Sequence, residues 1–142
     1  MDPVGIGIIG CGNISAAYLK AAKVFPILDV RALADIDPAA AKARGSEFGI
    51  PAMSVDDLLA DPEIEIVVNL TVPKAHVEVG LAAVDKGKHV HSEKPLGVSL
   101  ADVAEIVVDQ CEDESWARGA AAMTLRDLYG APWSTTGPAH HR

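Results

Sequence analysis

The sequence predicts an α/β domain built on a doubly wound parallel sheet, and three observations lead there. Short apolar runs alternate with helix-like segments from residue 4 to about residue 113. A glycine-rich turn, GCGNIS from Gly10 to Ser15, stands between the first apolar run and the first helical segment, and an acid, Asp35, closes the second run. Parallel strands buried on both faces read as nearly continuous apolar stretches, and strict strand–helix alternation selects right-handed crossovers with helices on both faces of the sheet.

Taken in order, Val4 to Ile9 is an apolar run ending at glycine and reads as the first strand. Asn13 to Val24 reads as a helix with Ile14, Ala17, Tyr18 and Ala21 or Ala22 on one face, stopped by Pro26. A second strand covers Leu28 to Ala34. Asp37 can cap the next helix, because its short carboxylate accepts a free amide of the first turn. Pro38 fits that turn, and Gly49 supplies a left-handed stop. Ser54 with Asp57 resembles a capping box for a short helix through Leu59, ahead of a third strand from Ile64 to Leu70. Pro73 opens a helix that runs to Gly87, and a fourth strand lies around His89 to His91. Ser99 caps a helix whose apolar stripe is Leu100, Val103, Ala104, Val107 and Cys111.

That regularity stops near Asp113. Residues 1–113 are expected to form one domain, and residues 114–142, crowded toward their end with Gly, Pro, Ser, Thr and His, an irregular tail with a short helix near Ala120 to Tyr129 and disorder beyond it.

Composition removes several classes of function. Hydrophobic residues are 49% of the chain, yet no run approaches the roughly 20 apolar residues of a membrane span. The start, MDPVGIGIIG, lacks the basic flank of a secretory signal, so a cytoplasmic protein is expected. A formal net charge of −8 argues against nucleic acid as partner. Cys11 and Cys111 lie far apart without metal-ligand spacing, so no metal site and reduced thiols are expected.

The chemistry-bearing residues sit at strand ends. In the first turn Gly10 permits a tight bend and Gly12 clears a path for a pyrophosphate to reach backbone amides that open a helix, with Cys11, Asn13 and Ile14 completing the loop. Ser15 and Ala16 stand where the strict fingerprint has a third glycine. A tight turn with no ligand is the alternative. Asp35, with Ile36 after it, stands about 20 residues on, where dinucleotide-binding folds of the Rossmann type place an acid against the adenosine ribose. Its carboxylate would repel a 2′-phosphate, which favours NAD over NADP. A solvated strand-end acid is the plainer reading, and Asp37 reads as a helix cap only.

Three segments, GCGNIS, TVPKAH from Thr71 to His76 and GKHVHSEKPLG from Gly87 to Gly97, resemble the Gfo/Idh/MocA oxidoreductases (glucose–fructose oxidoreductase, inositol dehydrogenase and relatives). The resemblance implies that Thr71, Val72, Pro73 and His76 lie along the cofactor's pyrophosphate and nicotinamide ribose. It implies that Glu93 bonds that ribose and that Lys94 is the catalytic lysine beside the nicotinamide. Pro95 matches a proline whose preceding bond is often cis. By themselves these residues read more plainly, with Glu93–Pro95 as an exposed turn, His76 as a solvated helix-start residue, and His89 and His91 as structural.

The resemblance further implies hydride transfer between NAD and a sugar, inositol or related polyol. The substrate domain of that family has no counterpart in this sequence, nor does its next strand, so the sheet is expected to be incomplete at its C-terminal end. The change of character at Ser115 suggests a truncated or frameshifted reading frame. An open sheet edge then offers a surface for self-association. A cofactor-binding module without turnover and an inert remnant stand as alternatives. A methyltransferase-like reading fails on the absence of an acid in the strand before Gly10 and leaves Glu93 to Pro95 without a role.

Overall fold

The computed structural model describes residues 2–101 and 104. Strand β1 (Val4–Ile9) leads through the glycine turn into helix α1 (Ser15–Ala22), followed by β2 (Leu28–Ala34) and α2 (Pro38–Phe48). The chain continues through α3 (Val55–Ala60), β3 (Ile66–Asn69), a 3₁₀ turn (Pro73–Ala75), α4 (His76–Asp85) and β4 (His89–Ser92). All pairings are parallel and the spatial order is β2-β1-β3-β4.

Beyond β2 one isolated parallel bridge joins Leu33 to Ala52. There the Leu33 N–H donates to the Pro51 carbonyl at 2.9 Å and the Met53 N–H to the Leu33 carbonyl at 3.0 Å. No sequence pattern signals this contact, which is too short for a periodicity. It matters for topology: the chain winds outward from β1 through β2 to Ala52, then crosses back to lay β3 on the other side of β1. The direction of winding therefore reverses between β1 and β3.

Two cores follow from the period-2 alternation of the strands. Ile8, Leu33 and Val68 face Leu19 of α1 and Ala41 of α2. Ile9, Ala32, Ala34 and Val67 face Leu58 and Leu59 of α3 and Ala83 of α4. Burying one such large aliphatic side chain contributes roughly 1.5–3 kcal/mol, so both helix layers hold the sheet. This is the doubly wound architecture that the sequence predicts.

Helix boundaries differ from expectation in instructive ways. Helix α1 is shorter than Asn13–Val24 because Ile14 at its N-cap offers no capping side chain, and Gly12 to Ile14 remain a turn. Its buried face is Ser15 and Leu19 with Tyr18 half-buried, while Ile14, Ala17 and Ala21 are exposed. The stripe is thus rotated, because Ser15 takes the position nearest the sheet. Helix α2 is capped as expected, with Asp37 accepting the Ala39 N–H at 2.9 Å and Gly49 at φ 74°. At α3 the Ser54 hydroxyl accepts the Asp57 N–H at 3.0 Å and donates to the Asp57 carboxylate at 2.6 Å. Pro73 opens a 3₁₀ turn, and α4 begins only at His76. Strand β3 is trimmed at both ends relative to Ile64–Leu70. Leu100, Ala101 and Ala104 are helical. The rest of that expected helix, with Val103, Val107 and Cys111, and the whole of residues 114–142 lie outside the described residues. No helix among the described residues is long and apolar enough to cross a membrane.

Candidate functional site

Apart from His76, which opens α4, the candidate site residues lie at or just beyond the carboxyl ends of strands. Gly10 to Ile14 follow β1, Asp35 and Ile36 follow β2, Thr71 to Pro73 follow β3, and Glu93 to Pro95 follow β4. Because the strands stand in the order β2-β1-β3-β4, these loops form a row about 14 Å wide at ordinary strand spacing. The row straddles the switch in winding direction, where open α/β sheets leave a crevice for ligands.

The centre of the row is tightly packed. Gly10 has φ 103°, and a Cβ there would fall 2.5 Å from the Leu70 carbonyl carbon and 2.7 Å from the Thr71 nitrogen. The loops after β1 and β3 therefore touch through a position only glycine fills. At Gly12 the opposite holds, since a Cβ would meet nothing within 4 Å. Packing does not demand glycine there. The amides of Gly12, Asn13 and Ile14 have no acceptor among the described residues. Ser15 fills the place of the third glycine: it is fully buried, and its hydroxyl donates to the Gly12 carbonyl at 2.6 Å.

Asp35 ties the second loop to the first. One carboxylate oxygen accepts the Cys11 N–H at 2.6 Å and the other accepts the Asp37 N–H at 2.9 Å. Each oxygen keeps a lone pair for a further donor. The Cys11 amide is thereby spent on Asp35, and its thiol lies buried against the Ala34 carbonyl at 3.5 Å. Burial, and then the Asp35 carboxylate, push that thiol up to about 11 although Arg44 pulls the other way, so it stays protonated. Three apolar side chains of the row, Ile14, Ile36 and Val72, are exposed, Ile36 almost completely at 98%. A hollow of about 750 Å³ flanks Asp35 and Ile36 on the outer side, between α2 and residues 52–55.

The far end of the row is organised by Asn69 and His76. Asn69, fully buried at the end of β3, donates from Nδ2 to the His76 carbonyl at 2.9 Å and accepts the Thr71 hydroxyl at 2.7 Å. The His76 ring, 2% exposed, lies 2.9 Å from the Thr71 carbonyl through Nε2 and 2.6 Å from the Pro95 carbonyl through Nδ1. It is not the solvated residue its sequence context suggests, and its ring nitrogens face backbone rather than the crevice. It joins the loop after β3 to the turn after β4. In that turn the Lys94–Pro95 bond is cis and Lys94 is exposed. Glu93 accepts the Tyr18 hydroxyl through one oxygen and the Lys94 N–H at 3.3 Å through the other. The Tyr18 hydroxyl holds the Glu93 carboxyl below the usual range against partial burial, with the Lys94 amide helping.

Three residues escaped sequence reasoning. Asn69 looks like the polar end of an apolar run, Tyr18 like one more residue of a helix stripe, and Arg44 like a solvated helix charge. Arg44 in fact donates to the Gly12 carbonyl at 3.1 Å and to Glu47 at 2.7 Å, bracing the glycine loop from α2. Only the buried asparagine beside Thr71 left a signal, since an amide at the end of a fully buried strand needs partners. Among the described residues no group of three or more His, Cys, Asp or Glu could hold a metal ion.

Comparison with known proteins agrees with this fold. Residues 4–115 match the model of an oxidoreductase family described by its NAD-binding Rossmann fold. The uncharacterized oxidoreductase ORF334 of Rhizobium meliloti is 35% identical over 134 residues, 89% of this chain and 38% of that protein. Inositol 2-dehydrogenase/D-chiro-inositol 3-dehydrogenase of Lactiplantibacillus plantarum is 33% identical over 106 residues, 72% of this chain and 30% of that protein. The crystal structure of myo-inositol dehydrogenase from Lactobacillus casei, in complex with NAD(H) and myo-inositol, superposes with a TM-score of 0.73 at 31% identity, covering 79% of this chain and 34% of that one. The chain thus spans about a third of the length of the proteins it matches.

Proposed function

The chain belongs to the Gfo/Idh/MocA family of oxidoreductases, carrying that family's NAD-binding Rossmann domain, and from this premise we propose that it binds NAD along the row of strand ends and serves hydride transfer to or from a sugar, inositol or related polyol. The observation that carries the reading is the contrast at the glycine turn. Gly10 is demanded by packing, whereas Gly12 faces open space beside three amides without acceptors among the described residues.

In this reading the Gly12, Asn13 and Ile14 amides face the pyrophosphate, where the opening of α1 adds positive potential. Asp35 accepts the adenosine ribose hydroxyls on its remaining lone pairs, and its charge disfavours a 2′-phosphate. Ile14, Ile36 and Val72 give apolar contact, Thr71 and Pro73 line the middle of the row, and His76 holds that loop in place. Glu93 accepts from the nicotinamide ribose. When bound, the nicotinamide supplies the hydride acceptor or donor. Lys94, followed by Pro95, presents its ammonium to the substrate oxygen, orients it and helps its proton move. A polyol is bound only where a second domain is supplied, and an exposed sheet edge is a surface for self-association.

Titration with NADH and NADPH tests the reading. The expected result is tighter NADH binding, weakened in Asp35→Ala by about tenfold to a hundredfold. That range corresponds to about 1.5–3 kcal/mol for charge-assisted hydrogen bonds. Asp35→Asn, which keeps one acceptor oxygen, should fall between. Equal or tighter NADPH binding by the unaltered chain overturns the role of Asp35, and absence of binding to either cofactor overturns the whole proposal.

A further inference from the structure

We propose that Tyr18 is a positioning residue for the nicotinamide end of the cofactor site, holding the Glu93 carboxylate in its binding orientation from helix α1; the proposal rests on the cofactor reading above. Tyr18 and Glu93 are 75 residues apart in sequence and on elements at different places in the row. The phenol donates its proton to Glu93 Oε1, and the ring is half-buried with its centroid 6.1 Å from that of His91, tilted by 53°. One side chain therefore touches both β4 and the turn that follows it.

Without that contact little would fix Glu93. Its other oxygen meets only the Lys94 N–H, at a long 3.3 Å, and no other side chain among the described residues bonds it. A glutamate so placed samples several rotamers, and ordering it on binding would cost affinity. The phenol removes that cost in advance. It also leaves Glu93 with lone pairs free to accept a ribose hydroxyl, because a carboxylate has about four acceptor sites and two are in use.

The protonation states are the right ones for this task. Burial, and then the bond to Glu93, push the Tyr18 phenol up to about 12, so it remains a donor at any working pH. The charged and titratable groups facing Glu93 are Tyr18 from α1, His91 from β4 and Lys94 from its own turn. All three favour its ionised form. There is also a mechanical consequence. Tyr18 lies one turn beyond Ile14, the N-cap of α1, so one short helix ties the orientation of Glu93 to the glycine turn that precedes it.

The test uses the full chain and two probes, NADH and ADP, since ADP carries the adenosine ribose and pyrophosphate but no nicotinamide ribose. Tyr18→Phe keeps the ring and removes only the hydroxyl. It is expected to weaken NADH about fivefold to twentyfold, in line with loss of one pre-formed charge-assisted bond, and to leave ADP affinity unchanged. In a Glu93→Ala background, which leaves the phenol no acceptor at that position, the same change should have no further effect on NADH. The acid limb of NADH affinity, set by protonation of Glu93, should move to higher pH in Tyr18→Phe. Equal losses for NADH and ADP would show that the hydroxyl merely supports α1 and overturn the proposal, as would unchanged NADH affinity. If the unaltered chain bound neither probe, the cofactor reading itself would fail and this inference with it.

Discussion

Replacing Gly10 by alanine should unfold this domain far more readily than any other change in the cofactor loop. The backbone at φ 103° is one that L residues rarely adopt, which costs about 1–3 kcal/mol. The new methyl would also sit 2.5 Å and 2.6 Å from the carbonyl carbon and oxygen of Leu70 and 2.7 Å from the Thr71 nitrogen, all backbone atoms that cannot swing aside. Overpacking of this kind costs a further 1–3 kcal/mol or so. A loss of about 3 kcal/mol or more is thus expected, a large share of the roughly 5–15 kcal/mol that holds a typical domain together. In urea, with a slope of about 1.5 kcal/mol per molar for a chain of this size, the midpoint should fall by about 2 M. Gly12→Ala is the matched control. Nothing lies within 4 Å of its added methyl, so its midpoint should stay within about 0.3 M of the unaltered chain while NADH affinity drops. A Gly10→Ala chain as stable as the parent would refute the packing argument, and a Gly12→Ala chain that bound NADH normally would refute the assignment of that open space to a ligand.

Other perturbations probe separate parts of the site. Asn69→Ala leaves the His76 carbonyl and the Thr71 hydroxyl without their buried partner and should cost about 1–3 kcal/mol in urea unfolding; a change under 0.5 kcal/mol or so would mean that water replaces the amide. Ser54→Ala removes both contacts of the α3 cap and should cost about 1 kcal/mol by the same assay, with no change in NADH affinity. Cys11, with its ordinary 9.0 raised to about 11, contributes stability that is complete below the unfolded-state value and lost as pH climbs through that window. At pH 8 its alkylation by iodoacetamide, followed by peptide mass spectrometry, should be about a hundredfold slower than in the urea-unfolded chain. Equal rates would show that the thiol is not held as described.

The sequence by itself determined the class of the fold and the order of its elements, because strand and helix periodicities, caps and turn glycines are local physics. Leu28–Ala34 falls where its apolar run predicts, and Asp37, Gly49 and Ser54 terminate their helices by bonds reaching two to four residues along the chain. The places of the glycine turn after β1 and of Asp35 after β2 are legible for the same reason. What the sequence left open depends on which distant atoms meet. The rotated face of α1, the Leu33–Ala52 bridge, the burial of His76 between Thr71 and Pro95, and the bond from Tyr18 to Glu93 join residues 5 to 75 positions apart or set a helix against a sheet. No periodicity encodes such pairings. They are fixed only when parallel strands bring their carboxyl ends side by side, and there the site acquires its shape.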